Sequence, residues 1–290
     1  MASVATGGES GSSFTFTQLK EALPAFESSD AQDSLQRWNL LPFMRTAAFR
    51  FDQPFTPEQT DAFLIDFFGA AAVQEAAPVC TSPGQWGPLG SLGPGAVKYG
   101  RLPTTVLRLD FFDRLKDAGI VRMGDIAKCF DVQCGEGAHA QPRGSLRQPE
   151  PAPSHLCASR ACAVLVSDRL RKLLLDDTSE EWELFSAAER EELIFHVLRR
   201  LAIGGGMNQY EDSIEPYLKL TKAAYKDLVA VNKSAGGALQ VSSLTFAVES
   251  VAGGSASLFP RPSPHNFCYV VVDPVARRVK LWYAAFFPMM

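Results

Sequence analysis

The chain has 290 residues, 46% of them apolar and 21% charged, with a formal net charge of −4. That length supports one large domain or two small ones around a substantial core. Mild acidity, with Lys and Arg scattered rather than clustered, argues against nucleic-acid binding and against a polybasic membrane contact.

The start, MASVATGGESGSS, is small and polar, and residues 1–13 read as a disordered tail. It lacks the basic start and apolar core of a secretory signal, and Ala2 stands where myristoylation needs Gly. No apolar run is long enough to span a membrane. Six cysteines in a chain of this length, without such a signal, point to a reducing compartment with free thiols. Residues 14–290 are then expected to form a single domain.

Phe14-Thr15-Phe16 alternates like the start of a strand, a short helix is expected near Asp30 to Arg37, and Ala47 to Phe51 reads as a strand. Thr56-Pro57-Glu58-Gln59 is a capping box with proline in the first turn, opening a helix lined by Phe63, Leu64, Phe67 and Phe68 and stopped at Gly69. Residues 78–103 are rich in Pro and Gly and read as a long loop, with Trp86 expected to be buried. Thr104 to Leu109 is β-branched and apolar and reads as a strand. Asp110 is expected to cap a short helix carrying Phe112 and Leu115 and ended by Gly119. The stretch 135–163 loses all periodicity and reads as a disordered insertion loop.

Order resumes with a short helix over Leu170, Leu173 and Leu174, capped by Ser167. Ser186 and Glu189 form a second capping box, opening a helix with an apolar stripe through Leu193, Ile194, Val197, Leu198 and Leu201. Gly204 ends it. Beyond Gly204-Gly205-Gly206 and a polar cluster, Ile214, Tyr217, Leu218, Thr221, Ala224, Tyr225 and Leu228 repeat at helical spacing. Leu239 to Glu249, Phe267 to Val272 and Arg278 to Phe286 read as strands, the last two joined as a hairpin through Asp273 to Arg277. No regular βαβ alternation appears. The expected class is α+β: a mixed or antiparallel sheet, a central helical pair and a C-terminal β-hairpin.

The three glycines do not follow a strand and open a helix as a phosphate loop does, so they read as a helix stop and link. Cys129 and Cys134, and Cys157 and Cys162, are each separated by four residues, with His139 and His155 between the pairs. Such spacing is within the zinc range, but the proline-rich loop between favours free thiols. Cys129, Cys268, His196 and His265 carry no local signature of a cysteine hydrolase. Glu211 and Asp212 suit a helix start better than acid–base catalysis, since negative charge there is favoured by the dipole. The chain is therefore expected to be no enzyme, with no metal or cofactor. Gln209, Tyr210, Glu211 and Asp212 are its best candidate for a recognition edge. Replacing Tyr210, Glu211 and Asp212 by alanine is expected to weaken partner capture without unfolding the protein.

Several short motifs stand out in order along the chain. They are Phe51-Asp52-Gln53, Gly84-Gln85-Trp86, Phe111-Phe112 with Arg114-Leu115, Ile120-Val121-Arg122, and Lys128-Cys129 with Cys134. They continue with Gln209-Tyr210-Glu211-Asp212, Pro216-Tyr217-Leu218, Tyr225-Lys226-Asp227-Leu228-Val229 and Val272-Asp273-Pro274. In this set the chain resembles the cilia- and flagella-associated protein 300 family from about Phe14 to Tyr283, with 135–163 as an insertion relative to it. The resemblance implies a non-enzymatic factor for assembling outer and inner dynein arms. It would act in the cytoplasm beside chaperone-linked PIH-type (kintoun-like) factors, and in the motile cilium with intraflagellar transport. The alternatives are a zinc- or thiol-dependent enzyme using Cys129 and Cys134, and a stable structural component of the axoneme.

Overall fold

A computed structural model describes residues 13–20, 23–82, 85–129, 168–233, 237, 239–253, 257–259 and 261–286. The expected tail, apart from Ser13, and the expected insertion at 135–163 lie outside the described residues. From the N-terminus the elements are β1 (Phe16–Gln18), α1 (Ser29–Arg37), β2 (Met44–Phe51), α2 (Thr60–Gly69), α3 (Ala71–Ala76), β3 (Val79–Ser82), β4 (Gln85–Gly87), β5 (Leu92–Leu102), α4 (Arg114–Asp117), β6 (Val121–Arg122) and β7 (Asp125–Ile126). The second half supplies α5 (Arg169–Leu175), α6 (Ala187–Arg190), α7 (Leu193–Ile203), α8 (Glu215–Leu228), β8 (Val231–Lys233), β9 (Leu239–Val241), β10 (Leu244–Gly253), β11 (Phe267–Asp273) and β12 (Arg278–Ala284).

Six strands form one antiparallel sheet in the order β1-β2-β12-β11-β10-β5, so the fold is α+β. Successive residues of a strand point to opposite faces, and β11 is apolar on both. Phe267, Tyr269 and Val271 face one layer, while Cys268, Val270 and Val272 face the other. The second face is covered by α2 and α3, whose Phe63, Leu64, Phe67 and Phe68 are fully buried. Phe14, Phe16 and Phe51 meet Phe63 edge to face, with ring centres 4.8, 5.3 and 5.2 Å apart. Each such side chain contributes roughly 1.5–3 kcal/mol over exposure. The first face is covered by α1, α5, α7 and α8, with Trp38, Leu173, Leu198 and Tyr217 inside. The expected helical pair is thus α7 and α8, and the expected C-terminal hairpin is β11 and β12, closing at Asp273 opposite Arg278. Asp273 makes that turn by accepting from the Val275 and Ala276 N–H groups at 3.0 and 3.1 Å.

Four segments differ from expectation, each for a local reason. The loop expected over 78–103 holds β3, β4 and the 11-residue β5. Gly93, Pro94, Gly95 and Gly100 belong to β5, an edge strand, where a missing N–H need break no ladder. Thr104 to Leu109 joins no ladder, because side chains and a helix end take its backbone groups. The buried Glu192 carboxylate accepts from the Thr105 and Val106 N–H groups at 3.0 and 3.4 Å. Pro103 O accepts from Leu193 N at 3.0 Å, and Val106 O from the Tyr225 hydroxyl at 2.7 Å. That same Glu192 splits the expected long helix, since the Ser186 box caps only α6 and α7 starts afresh at Leu193. Trp86 lies 36% exposed beneath the Arg45 guanidinium, 5.2 Å from its ring centre.

Smaller differences concern ends and caps. Leu239 to Glu249 is two strands, β9 and β10, rather than one. The expected cap Ser167 lies outside the described residues, and Asp168 caps α5 by accepting from Arg171 N at 2.9 Å. Asp110 sits inside a 3-10 turn over Leu109–Phe112, not at its cap.

Candidate functional site

The Gly204–Asp212 stretch is a strap laid across the end of α1 and the β6–β7 hairpin. Gly204 ends α7 with φ 62°, a left-handed turn that favours glycine. The chain then binds down at each step. Gly205 N donates to Trp38 O at 2.9 Å, Met207 N to Asn39 Oδ1 at 3.2 Å, and Gln209 N to Arg37 O at 2.9 Å. Asp212 O accepts from Ile126 N at 2.7 Å, and Ile214 N donates to Gly124 O at 3.1 Å. Asn208 turns its side-chain amide back onto the last carbonyls of α7, Ala202 O and Ile203 O, at 3.1 and 2.8 Å.

The four candidate residues fare differently on this strap. Gln209 and Asp212 are exposed. Asp212 holds Lys128 Nζ at 2.5 Å, and that hydrogen bond and charge keep its carboxyl below the usual range. Tyr210 is 38% exposed on its outer side, while its ring lies 4.1 Å over the guanidinium of Arg171. Glu211 points inward. Its carboxylate accepts from Trp38 Nε1 at 3.0 Å and from Arg37 Nη2 at 2.9 Å, and its N–H donates to the Tyr217 hydroxyl at 3.0 Å. None of the four caps α8: Ser213 Oγ accepts from Glu215 N at 3.3 Å.

Beneath the strap lies the residue that sequence reasoning missed. Arg171 is fully buried. Its guanidinium donates to Asp168 Oδ2 at 2.8 Å, to the Tyr217 hydroxyl at 2.7 Å and to Ala202 O at 3.2 Å. One cation therefore joins α5, the end of α7 and α8, with Tyr210 as its lid. Its position three residues before Leu174 was the available signal, because that spacing sets an arginine on the buried side of a short helix.

The match to known families decides what this architecture belongs to. The profile of the cilia- and flagella-associated protein 300 family matches residues 13–140 and 156–284. The chain belongs to that family. The cilia- and flagella-associated protein 300 of Chlamydomonas reinhardtii is 35% identical over 271 residues, covering 91% of this chain and 94% of its own. That of Paramecium tetraurelia is 27% identical over 248 residues, covering 85% and 84%. No solved structure matches. The family profile leaves out 141–155, inside the segment expected as an insertion.

In this member of the cilia- and flagella-associated protein 300 family, the described candidates Cys129, Cys268, His196 and His265 form no metal-holding group. Cys134, Cys157, Cys162, His139 and His155 lie outside the described residues. Cys129 is half-buried beside Lys128. Cys268 is buried against the α2 layer, and burial pushes its thiol up, away from the nucleophilic thiolate. His196 sits across the sheet, with Nδ1 3.1 Å from the Tyr269 hydroxyl. His265 Nδ1 meets Gly204 O at 2.8 Å and so carries the proton there. Among the described residues no group of three or more His, Cys, Asp or Glu could hold a metal.

His196 carries a pH prediction. Burial, with Arg200 and Arg199 adding repulsion, pushes its pKa from 6.5 down to about 3. Between those values the unfolded chain binds a proton that the native chain refuses, so this residue's share of stability falls as pH drops from 6.5. His196→Gln removes that share. Its urea midpoint is expected to vary less than the parent's between pH 6.5 and pH 4.

Proposed function

We propose that this chain is a non-enzymatic adaptor in the assembly of outer and inner dynein arms. It acts in the cytoplasm beside PIH-type factors and reaches the motile cilium through intraflagellar transport. The observation that carries the reading is the extent of the family match: residues 13–140 and 156–284 take in all six strands of the large sheet and both helical layers. A whole fold shared with proteins named for cilia and flagella favours work in that organelle over a generic cellular role. The tethered strap supports an adaptor, since a recognition edge held on rigid elements loses little conformational entropy on binding.

On this reading Gln209, Tyr210 and Asp212 offer the outward contacts, and Glu211 holds their frame. Alanine at Glu211 would break the contacts to Trp38 and Arg37, so the informative variant is Gln209→Ala with Asp212→Ala. The test is removal of the protein from a ciliated cell, with electron microscopy of axoneme cross-sections. The expected result is loss of both arm types, restored by the parent chain and restored less than half as often by the double variant at equal protein level. Arms that persist without the protein would overturn the assembly role. Full rescue by the double variant would move the contact off this edge.

A further inference from the structure

Large apolar side chains left in water are informative when they converge. Leu107, Val231 and Leu239 are 39%, 45% and 56% exposed, and all three line one groove of about 460 Å³. The groove runs between the 107–110 segment, the C-terminal half of α8 and the starts of β8 and β9. Its floor is apolar and firm: Ile194, Tyr225 and Val229 are buried in the core below. A second groove of about 690 Å³ adjoins it and shares Leu107 and Leu239 as the dividing ridge. The apolar surface therefore continues past the reach of one small molecule.

The rim has a sign. Arg108, Lys222 and Lys226 border the first groove and Arg101 the second, against Asp110 as the acid. Asp110 is already held by Arg108 at 3.0 Å. Arg101, Lys222 and Lys226 have no ion-pair or hydrogen-bond partner among the described residues. Lys222 and Lys226 stand one turn apart on the same face of α8, an arrangement that destabilises a helix by a few tenths of a kcal/mol. Three rim cations without an acidic partner among the described residues, around exposed aliphatics on a chain of net charge −4, are not explained by the contacts of those residues.

We propose that this groove docks a short acidic amphipathic segment of a partner protein. Its Leu- or Ile-like side chains would cover Leu107, Val231 and Leu239, and its carboxylates would meet Lys222, Lys226 and Arg101. This is recognition of an amphipathic segment by a groove, with charge setting its orientation and rate of capture. It rests on the adaptor reading only in taking the ligand to be a protein.

The test places a photo-crosslinking amino acid at Gln240, on the wall of the second groove, in the full chain expressed in ciliated cells. Adducts are digested and the joined peptides sequenced by mass spectrometry. The expected adduct is a partner peptide with net negative charge and aliphatic residues three and four apart. Its yield is expected to fall at least fivefold in Lys222→Glu with Lys226→Glu, a variant whose urea midpoint stays at the parent's value. A second copy of this chain, a lipid, a small molecule, a peptide without acidic residues, or no adduct would each overturn the proposal. A yield untouched by charge reversal would overturn it too. An acidic adduct, with both arm types persisting when the protein is removed, would keep the groove and remove the dynein-arm reading. No adduct, with arm assembly still dependent on the protein, would do the reverse.

Discussion

Arg171→Ala is expected to destabilise the protein by about 3–5 kcal/mol, the cost of stranding a buried carboxylate. Asp168 is 1% exposed and would lose its cationic partner while staying buried. The hydroxyl of Tyr217 and the last turn of α7 would lose a donor at the same stroke. Arg171→Met together with Asp168→Asn should recover most of the loss. Methionine fills the volume, asparagine is neutral, and the amide oxygen still accepts from the N–H of residue 171 to cap α5. Urea unfolding of Arg171→Met, of Asp168→Asn and of the double variant measures the coupling. If Arg171→Ala costs less than about 1 kcal/mol, the cation is not what holds α5, α7 and α8 together.

Gly205→Ala is the second expected large loss. A Cβ there would stand 2.1 Å from Asn39 O and 2.7 Å from Asn39 Oδ1. Backbone oxygen cannot swing aside, so the strap must lift from the end of α1. The expected cost is about 3 kcal/mol, the upper end of overpacking penalties. Gly69→Ala is the contrast: a helical glycine with nothing within 4 Å of its added carbon. There alanine is expected to stabilise by about 0.5–1 kcal/mol through lost unfolded-state freedom. Thermal melts of both variants should therefore move in opposite directions. Equal shifts would mean that the strap is not pressed against residue 39.

Much of the fold was legible because its signals are local. The Thr56–Gln59 and Ser186–Glu189 signals reach only three residues: Gln59 Oε1 accepts from Thr56 N at 3.0 Å, and the Ser186 box forms, although it opens only α6. The apolar stripes of α7 and α8 need only helical spacing, and Tyr217 and Tyr225 lie buried as their positions imply. What failed depended on distant partners. β5 was hidden by Gly93, Pro94 and Gly95, and only its pairing with β10 makes it a strand. Thr104 to Leu109 has strand composition, but Glu192, some 87 residues away, takes the N–H groups a ladder would use. At the candidate edge the polar run Gln209 to Asp212 looked uniformly exposed. Glu211 turns inward because Arg37 and Trp38, far back in the chain, wait there. The three glycines read correctly as a stop and a link, whereas their tight seating on residues 38 and 39 has no signature within the segment.

The strand order bears on how the protein is made. Of these six strands β12 is the last in the sequence, yet it lies inside the sheet, between β2 and β11. It pairs with both along seven residues, from Arg278 to Ala284. Until it emerges, β1 and β2 pair only with each other in this sheet, and one edge of β2 has no partner strand. Until residues 278–284 are made, β1-β2 and β11-β10-β5 cannot join into one sheet. A chain that stops after residue 273 and before residue 278 would hold β1-β2 and β11-β10-β5 as two separate pieces with unpaired edges.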